Sequence, residues 1–165
     1  MSEHTTIFDR IRQLFEPAIR RVMHTYWRFQ RGMTLGVRGL CIDEANRVFL
    51  VKHSYVSGWH LPGGGVEPGE TAHDALVREL REEALIELKA EARLHAVYLN
   101  RHASQRDHVL LYVARELRFV DLKRREFEIA DVQAFPLDAL PADTTRSTRL
   151  RLEEITTGRE PALIW

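Results

Sequence analysis

Between Trp59 and Ile86 the chain runs WHLPGGGVEPGE and then TAHDALVRELREEALI. A turn this dense in glycine and proline cannot be the interior of a helix or a strand, so it must carry the chain from one element into another. The segment after the turn has helical periodicity: Ala72, Leu76, Leu80 and Ala84 form one stripe, with Ala75 and Val77 at its edges. Thr71 is placed to cap this helix, with Asp74 three residues on in the place of a capping-box acid. The acids break the amphipathic pattern. On a wheel of about 100° per residue, Glu79 and Glu83 fall beside Ala72 and Ala75, partly inside the arc that faces the core. Glu82 lies next to Glu79 on the same side.

The flanking segments set the fold class. MTLGVRGLCID and RVFLVKH are rich in β-branched and aliphatic residues and are separated by Glu44-Ala45-Asn46, which reads as a hairpin. After the helix come LHAVYLN, HVLLYVARELRF, a charged loop around DLKRREFE and a short strand VQAF. TRSTRLRLEEITTG then reads as a C-terminal helix ending at Gly158. Strands, helix, strands, helix on this scale predict an α+β fold with a mixed sheet. Residues 1–31 read as an N-terminal helical extension, broken at Pro17, and residues 32–165 as the main domain. The extension shows Ile7, Ile11, Leu14, Phe15, Ala18, Ile19, Val22, Met23 and Tyr26 at helical spacing, so it is expected to dock on its own domain or on a second copy of the chain.

Glu79, Glu82 and Glu83 stand at i, i+3 and i+4, which directs their carboxylates to one side of a single turn. Three such groups repel unless a cation compensates, and the natural one is a hard divalent ion with oxygen ligands. Mg²⁺ is the first candidate and Mn²⁺ the second. Arg78 and Arg81 supply the bland alternative, a salt-bridged surface helix.

Gly64, five residues, Glu70, seven residues, then Arg78-Glu79-Leu80-Arg81-Glu82-Glu83 resembles the Nudix box of the Nudix hydrolase family. The late glycine of that box is Leu85 here; leucine disfavours the left-handed helix end, so the helix is expected to end differently or run longer. The preceding GWHLPGGG also resembles the family's lead-in. The resemblance covers roughly residues 33 to 140 and implies a mixed β-sheet sandwich flanked by helices. It implies metal-dependent hydrolysis of a diphosphate bond in a nucleoside diphosphate linked to another group. Glu79, Glu82 and Glu83 are then the metal ligands, joined by the backbone carbonyl of Gly63. Glu70 and Arg78 look structural, the arginine orienting the acids. A further acid comes from REFEIADVQAF, Glu128 first and Glu126 second, and either Glu79 or Glu128 takes the proton of the attacking water.

Substrate identity is less constrained. His102 stands where the family's ADP-ribose hydrolases carry proline, His102-Ala103-Ser104 lacks the tyrosine of its diadenosine polyphosphate hydrolases, and the Ser-Gln-Pro-Trp run of its NADH pyrophosphatases is absent. Arg101, His102 and Arg106, with His108, cluster where a substrate phosphate could be met. Trp59 either stacks on a base or packs into the core. The alternative function is a catalytically silent nucleotide-binding sensor of the same fold, against which the intact acids argue.

Composition trims the remaining classes. Lys plus Arg and Asp plus Glu both total 24, so no stable nucleic-acid complex driven by overall charge is expected. Cys41 is the single cysteine, which excludes an internal disulfide and a zinc site of several thiolates. No run of about 18 apolar residues occurs and the N-terminus lacks a secretory pattern, so a cytoplasmic location is expected and membrane association is not.

Overall fold

The structure is a computed structural model that describes residues 21–23, 26, 32–120 and 129–165. The chain divides into a unit ending at Met33 and a unit Thr34–Trp165. Of the N-terminal extension, Arg21, Val22, Met23 and Tyr26 are described, and these are helical; the rest of residues 1–31 lies outside the described residues.

In the second unit the elements run in the order β1 (Thr34–Cys41), β2 (Arg47–His53), β3 (Trp59–His60), α1 (Ala72–Ala84), β4 (Ile86–Leu88), β5 (Arg93–Leu99), β6 (Asp107–Ala114), β7 (Leu117–Phe119), β8 (Ile129–Pro136) and α2 (Arg146–Thr157). They make sheets β1-β6-β5 and β3-β2-β8 and a two-stranded ladder β4-β7. β1 runs parallel to β6, with Val37 opposite Leu110 and Cys41 opposite Ala114, while β5 is antiparallel to β6. The expected α+β class with a mixed sheet is what forms.

The hairpin expected from residues 33–53 does not. Its turn is present, with Asn46 at φ 58° and Asp43 accepting from the backbone and side chain of Arg47. Beyond an isolated bridge, Ile42 to Val48, the two strands part into different sheets. The reason is that the glycine-rich turn takes the edge of β1 that β2 would have used. Val37 N–H donates to Gly64 O and Gly39 N–H to Pro62 O, both at 2.9 Å, and Val66 N–H donates to Leu35 O at 2.8 Å. β1 satisfies its backbone with β6 on one side and with this turn on the other.

Alternation along the strands feeds two cores. Val37, Cys41, Phe49, Val51 and Tyr112 pack with Ala75, Leu76, Leu80 and Ala84 of α1. Leu40, Ile42, Val48, Leu50, Tyr98 and Leu111 pack with Leu152 of α2. Both helices are bounded by local chemistry. Thr71 caps α1, accepting from Asp74 N–H at 3.1 Å and donating its hydroxyl to the Asp74 carboxylate at 2.6 Å. Thr145 caps α2, which ends at Gly158 in the left-handed region at φ 68°. No described helix is long and apolar enough to cross a membrane.

Leu85 corrects an expectation. α1 ends where a glycine would have ended it, with Leu85 itself left-handed at φ 56°, ψ 36° and its N–H donating to Leu80 O. The next residue explains this. Ile86 is fully buried and opens β4 opposite Phe119, and Leu85 O accepts from Val120 N–H at 3.0 Å. Burying an isoleucine contributes about 1.5–3 kcal/mol, against roughly 1–2 kcal/mol for a left-handed leucine, so burial wins. Leu85→Gly should stay within about 1 kcal/mol of wild type, while Leu85→Val, β-branched at positive φ, should fall about 1–2 kcal/mol below Leu85→Gly. Urea titrations decide it; a valine variant as stable as the glycine one removes the strain argument.

Candidate functional site

The site is built where α1 faces the turn that lines β1. Gly63 has φ 137°, and a Cβ there would fall on the Val37 carbonyl. At Gly64 a Cβ would fall on the Glu79 carboxylate. Only glycine lets the backbone at residue 63 lie against the strand, and at residue 64 it leaves room for the Glu79 carboxylate where it stands. On the other side Gly63 N–H donates to Glu83 Oε2 at 2.7 Å. Glu79 and Glu83 therefore bracket one dipeptide. Their burial agrees with the helical wheel: the Glu83 side chain is 8% exposed and that of Glu79 13%, while Glu82 at 43% reaches solvent.

Arg78 organises the outer half. Its Nε and Nη2 grip both oxygens of Glu70 at 2.9 and 3.1 Å, its Nη2 also donates to Gly65 O at 3.1 Å, and its Nη1 donates to Glu79 Oε1 at 2.8 Å. Glu82 Oε2 lies 3.4 Å from the same Nη1. Such a fork fixes the plane of the guanidinium as a lysine could not. The hydrogen bond from Arg78, then that from Glu67 N–H, holds the Glu70 carboxyl below its ordinary range. Arg78 is held above its own, chiefly by Glu70 and then by Glu79 against the opposing cost of burial.

The carboxylates do not all converge as the i, i+3, i+4 spacing suggested. Glu79 and Glu82 turn to Arg78 and Glu83 turns to Gly63 N–H, so among the described residues no three acid, histidine or cysteine side chains are placed to hold an ion. The donor chemistry still fits a hard divalent ion: three carboxylates on one turn, two of them beside a backbone that approaches only because it is glycine. Gly63 O is also engaged, by Arg38 Nη1, which donates to Leu61 O at 3.0 Å as well.

Sequence reasoning misses Arg38 and His53. Each is a polar interruption of an apolar strand, GVRGL and FLVKH, and that interruption is the signal that could have found it. Burial pulls the Arg38 guanidinium below its ordinary value while Glu83 and Glu79 oppose it. His53 Nδ1 lies 3.9 Å from Glu83 Oε1. Burial, then the charges of Arg38 and His60, pushes His53 down to about 4, so its ring is neutral at pH 7.

Other expected residues fall elsewhere. Trp59 is core: it is 6% exposed and stands edge-on to Phe135 at 4.8 Å, so it offers no open face to a base. Arg101, His102 and Arg106 are exposed on the turn between β5 and β6, at the Thr34 end of β1, where Thr34 N–H donates to Arg106 O. Glu126 and Glu128 lie outside the described residues.

The sequence matches the NUDIX domain family over residues 32–153. The chain belongs to the Nudix family. Its Nudix fold resembles that of a MutT NUDIX hydrolase from Burkholderia pseudomallei, with 26% identity, a TM-score of 0.63, and coverage of 74% of this chain and 97% of that one. A putative 8-oxo-dGTP diphosphatase from Bacillus subtilis is 46% identical over 50 residues, 30% of this chain and 34% of that protein. An RNA pyrophosphohydrolase from Legionella pneumophila is 42% identical over 52 residues, 32% of this chain and 30% of that protein. This Nudix chain thus spans about a third of the length of these curated relatives.

Proposed function

We propose that the chain hydrolyses the diphosphate bond of a nucleoside diphosphate linked to a second group, using a hard divalent ion held by Glu79, Glu82 and Glu83. The observation that carries this reading is the bracketing of the Gly63–Gly64 backbone by Glu79 and Glu83, with Arg78 anchored to Glu70 beside them. A bound Mg²⁺, or Mn²⁺, would neutralise phosphate charge and lower the pKa of water. The chain's own residues do the rest. Arg78 keeps Glu79 and Glu82 at a fixed angle to α1, Gly63 N–H holds Glu83, and Glu79 or Glu128 accepts the proton of the attacking water. Arg101, His102 and Arg106, exposed on the turn between β5 and β6, would meet further phosphates of a substrate long enough to reach that turn. The balanced charge and lone buried cysteine suit a cytoplasmic enzyme, and residues 1–31 would form a separate extension for docking on the domain or on a second copy.

The test is a panel containing 8-oxo-dGTP, a triphosphorylated RNA end, nucleotide sugars and dinucleoside polyphosphates, assayed with Mg²⁺ in ¹⁸O water. Cleavage with label on a phosphate product is expected, because water attacks phosphorus. Label found only on a non-phosphate product rejects the mechanism. Tight nucleotide binding with no cleavage would favour a silent sensor.

A further inference from the structure

His53 ends β2 with its side chain 8% exposed. Its Nδ1 is buried and has no hydrogen-bond partner among the described residues. An unsatisfied buried polar atom costs about 1–3 kcal/mol, so a fold that keeps one needs a reason. The atom is aimed at the box: it faces Glu83 Oε1 at 3.9 Å, while Glu83 Oε2 accepts from Gly63 N–H. Two donors about 2.1 Å from one ion stand about 3.0 Å apart when cis and about 4.2 Å when trans, so from 3.9 Å a side-chain shift of about 0.9 Å brings these two to cis positions on one ion. The neighbouring rings do not compete for that place. His60 stands edge-on to His53 at 5.5 Å, but its Nε2 already meets Ser57 O at 3.1 Å, and Tyr55 packs its ring against His53 at 5.3 Å.

We propose that His53 Nδ1 joins Glu83 Oε1 as a direct ligand of the divalent ion, so that the site has one nitrogen donor among its oxygens. This rests on the metal-site reading above and adds a selectivity to it. First-row transition ions, with Mn²⁺ the weakest of them, accept an imidazole nitrogen more readily than Mg²⁺, which prefers oxygen and water. A nitrogen from β2 also ties the ion to the sheet as well as to α1, so its position depends on two elements.

The test uses the chain of residues 1–165 loaded with Mn²⁺ at pH 8 and read by electron spin-echo modulation. Wild type should show the nitrogen coupling of a directly bound imidazole, changed to the ¹⁵N pattern when histidine alone is ¹⁵N-labelled. His60→Gln should keep the coupling. His53→Asn and His53→Gln, each checked for folding by circular dichroism, should lose it, and their Mn²⁺ dissociation constant should rise about tenfold or more with a smaller change for Mg²⁺. Bound Mn²⁺ without histidine coupling, or coupling that persists in both His53 variants, overturns the ligand assignment and leaves the carboxylate site standing. Wild type that fails to bind Mn²⁺ at all overturns both.

Discussion

Replacing Glu82 by glutamine is expected to cut turnover on whichever diphosphate the wild type cleaves by about a hundredfold or more, equivalent to about 2.7 kcal/mol of barrier, and to leave the fold intact. The two halves of that expectation have separate causes. Glu82 is the most exposed of the three box acids, and its only close partner among the described residues of the site is Arg78 Nη1 at 3.4 Å, which a glutamine oxygen can still meet. Exposed ion pairs of this kind contribute about 0–1 kcal/mol, so little stability is at stake. Removing one negative charge from a turn that carries three also relieves repulsion when no ion is bound. With an ion bound as proposed, the same change would delete a charged ligand, and the cost would appear in the reaction. Steady-state kinetics beside a thermal melt separates the two. Glu67→Gln, in the exposed turn before α1, is the matched control and should keep most activity. Equal activity for Glu82→Gln and Glu67→Gln would remove Glu82 from the site.

The range of each interaction decides how far the sequence discloses it. Thr71, Thr145 and Gly158 act on backbone groups within a few residues, so both helices start at those threonines and α2 stops at that glycine. The Glu70–Arg78 fork is also local, two turns of chain closed by one guanidinium. The box acids are legible as a set because their burial conflicts with the apolar stripe of α1. Their rotamers are not, since these depend on Arg78 and on a turn docked against β1.

Strand pairing escapes the sequence for a similar reason. GVRGLC and RVFLVK are buried on both faces and read as apolar runs, which identify strands without naming their partners. Periodicity carries no information that residues 62–66 will take the edge of β1 and displace β2. Leu85 shows the converse. The local penalty is visible in the sequence, and a non-local term, the burial of Ile86 between α1 and the β4-β7 ladder, outweighs it. Arg38 and His53 reach the site from strands that precede the box, and a one-dimensional pattern shows them only as polar residues in apolar company.

Away from the box, Glu154→Gln should destabilise the domain by about 3–5 kcal/mol, a fall of roughly 10 °C in Tm. Glu154 and Arg151 are buried in α2, joined at 2.7 Å. Glu154 also accepts from Tyr98 OH at 2.8 Å and from Ala162 N–H at 3.1 Å, while Arg151 donates to Ile164 O at 3.2 Å and lies 4.3 Å above the Tyr98 ring. Burial, reinforced by that bond to Glu154, holds the Tyr98 phenol above its ordinary range. The network fastens α2 and the chain end to β5, so its loss is felt in three segments. Glutamine keeps the shape but leaves the Arg151 charge buried without a counter-ion, and that uncompensated charge dominates the cost. The pair Arg151→Met with Glu154→Leu should therefore be more stable than Glu154→Gln alone, because it removes both charges and fills the space with apolar atoms. Urea midpoints of the wild type, Arg151→Met, Glu154→Leu and the double variant close the cycle, with Glu154→Gln measured beside them. If Glu154→Gln lies within about 1 kcal/mol of wild type, or the double variant is the least stable of the set, the stabilisation does not come from charge compensation at this site.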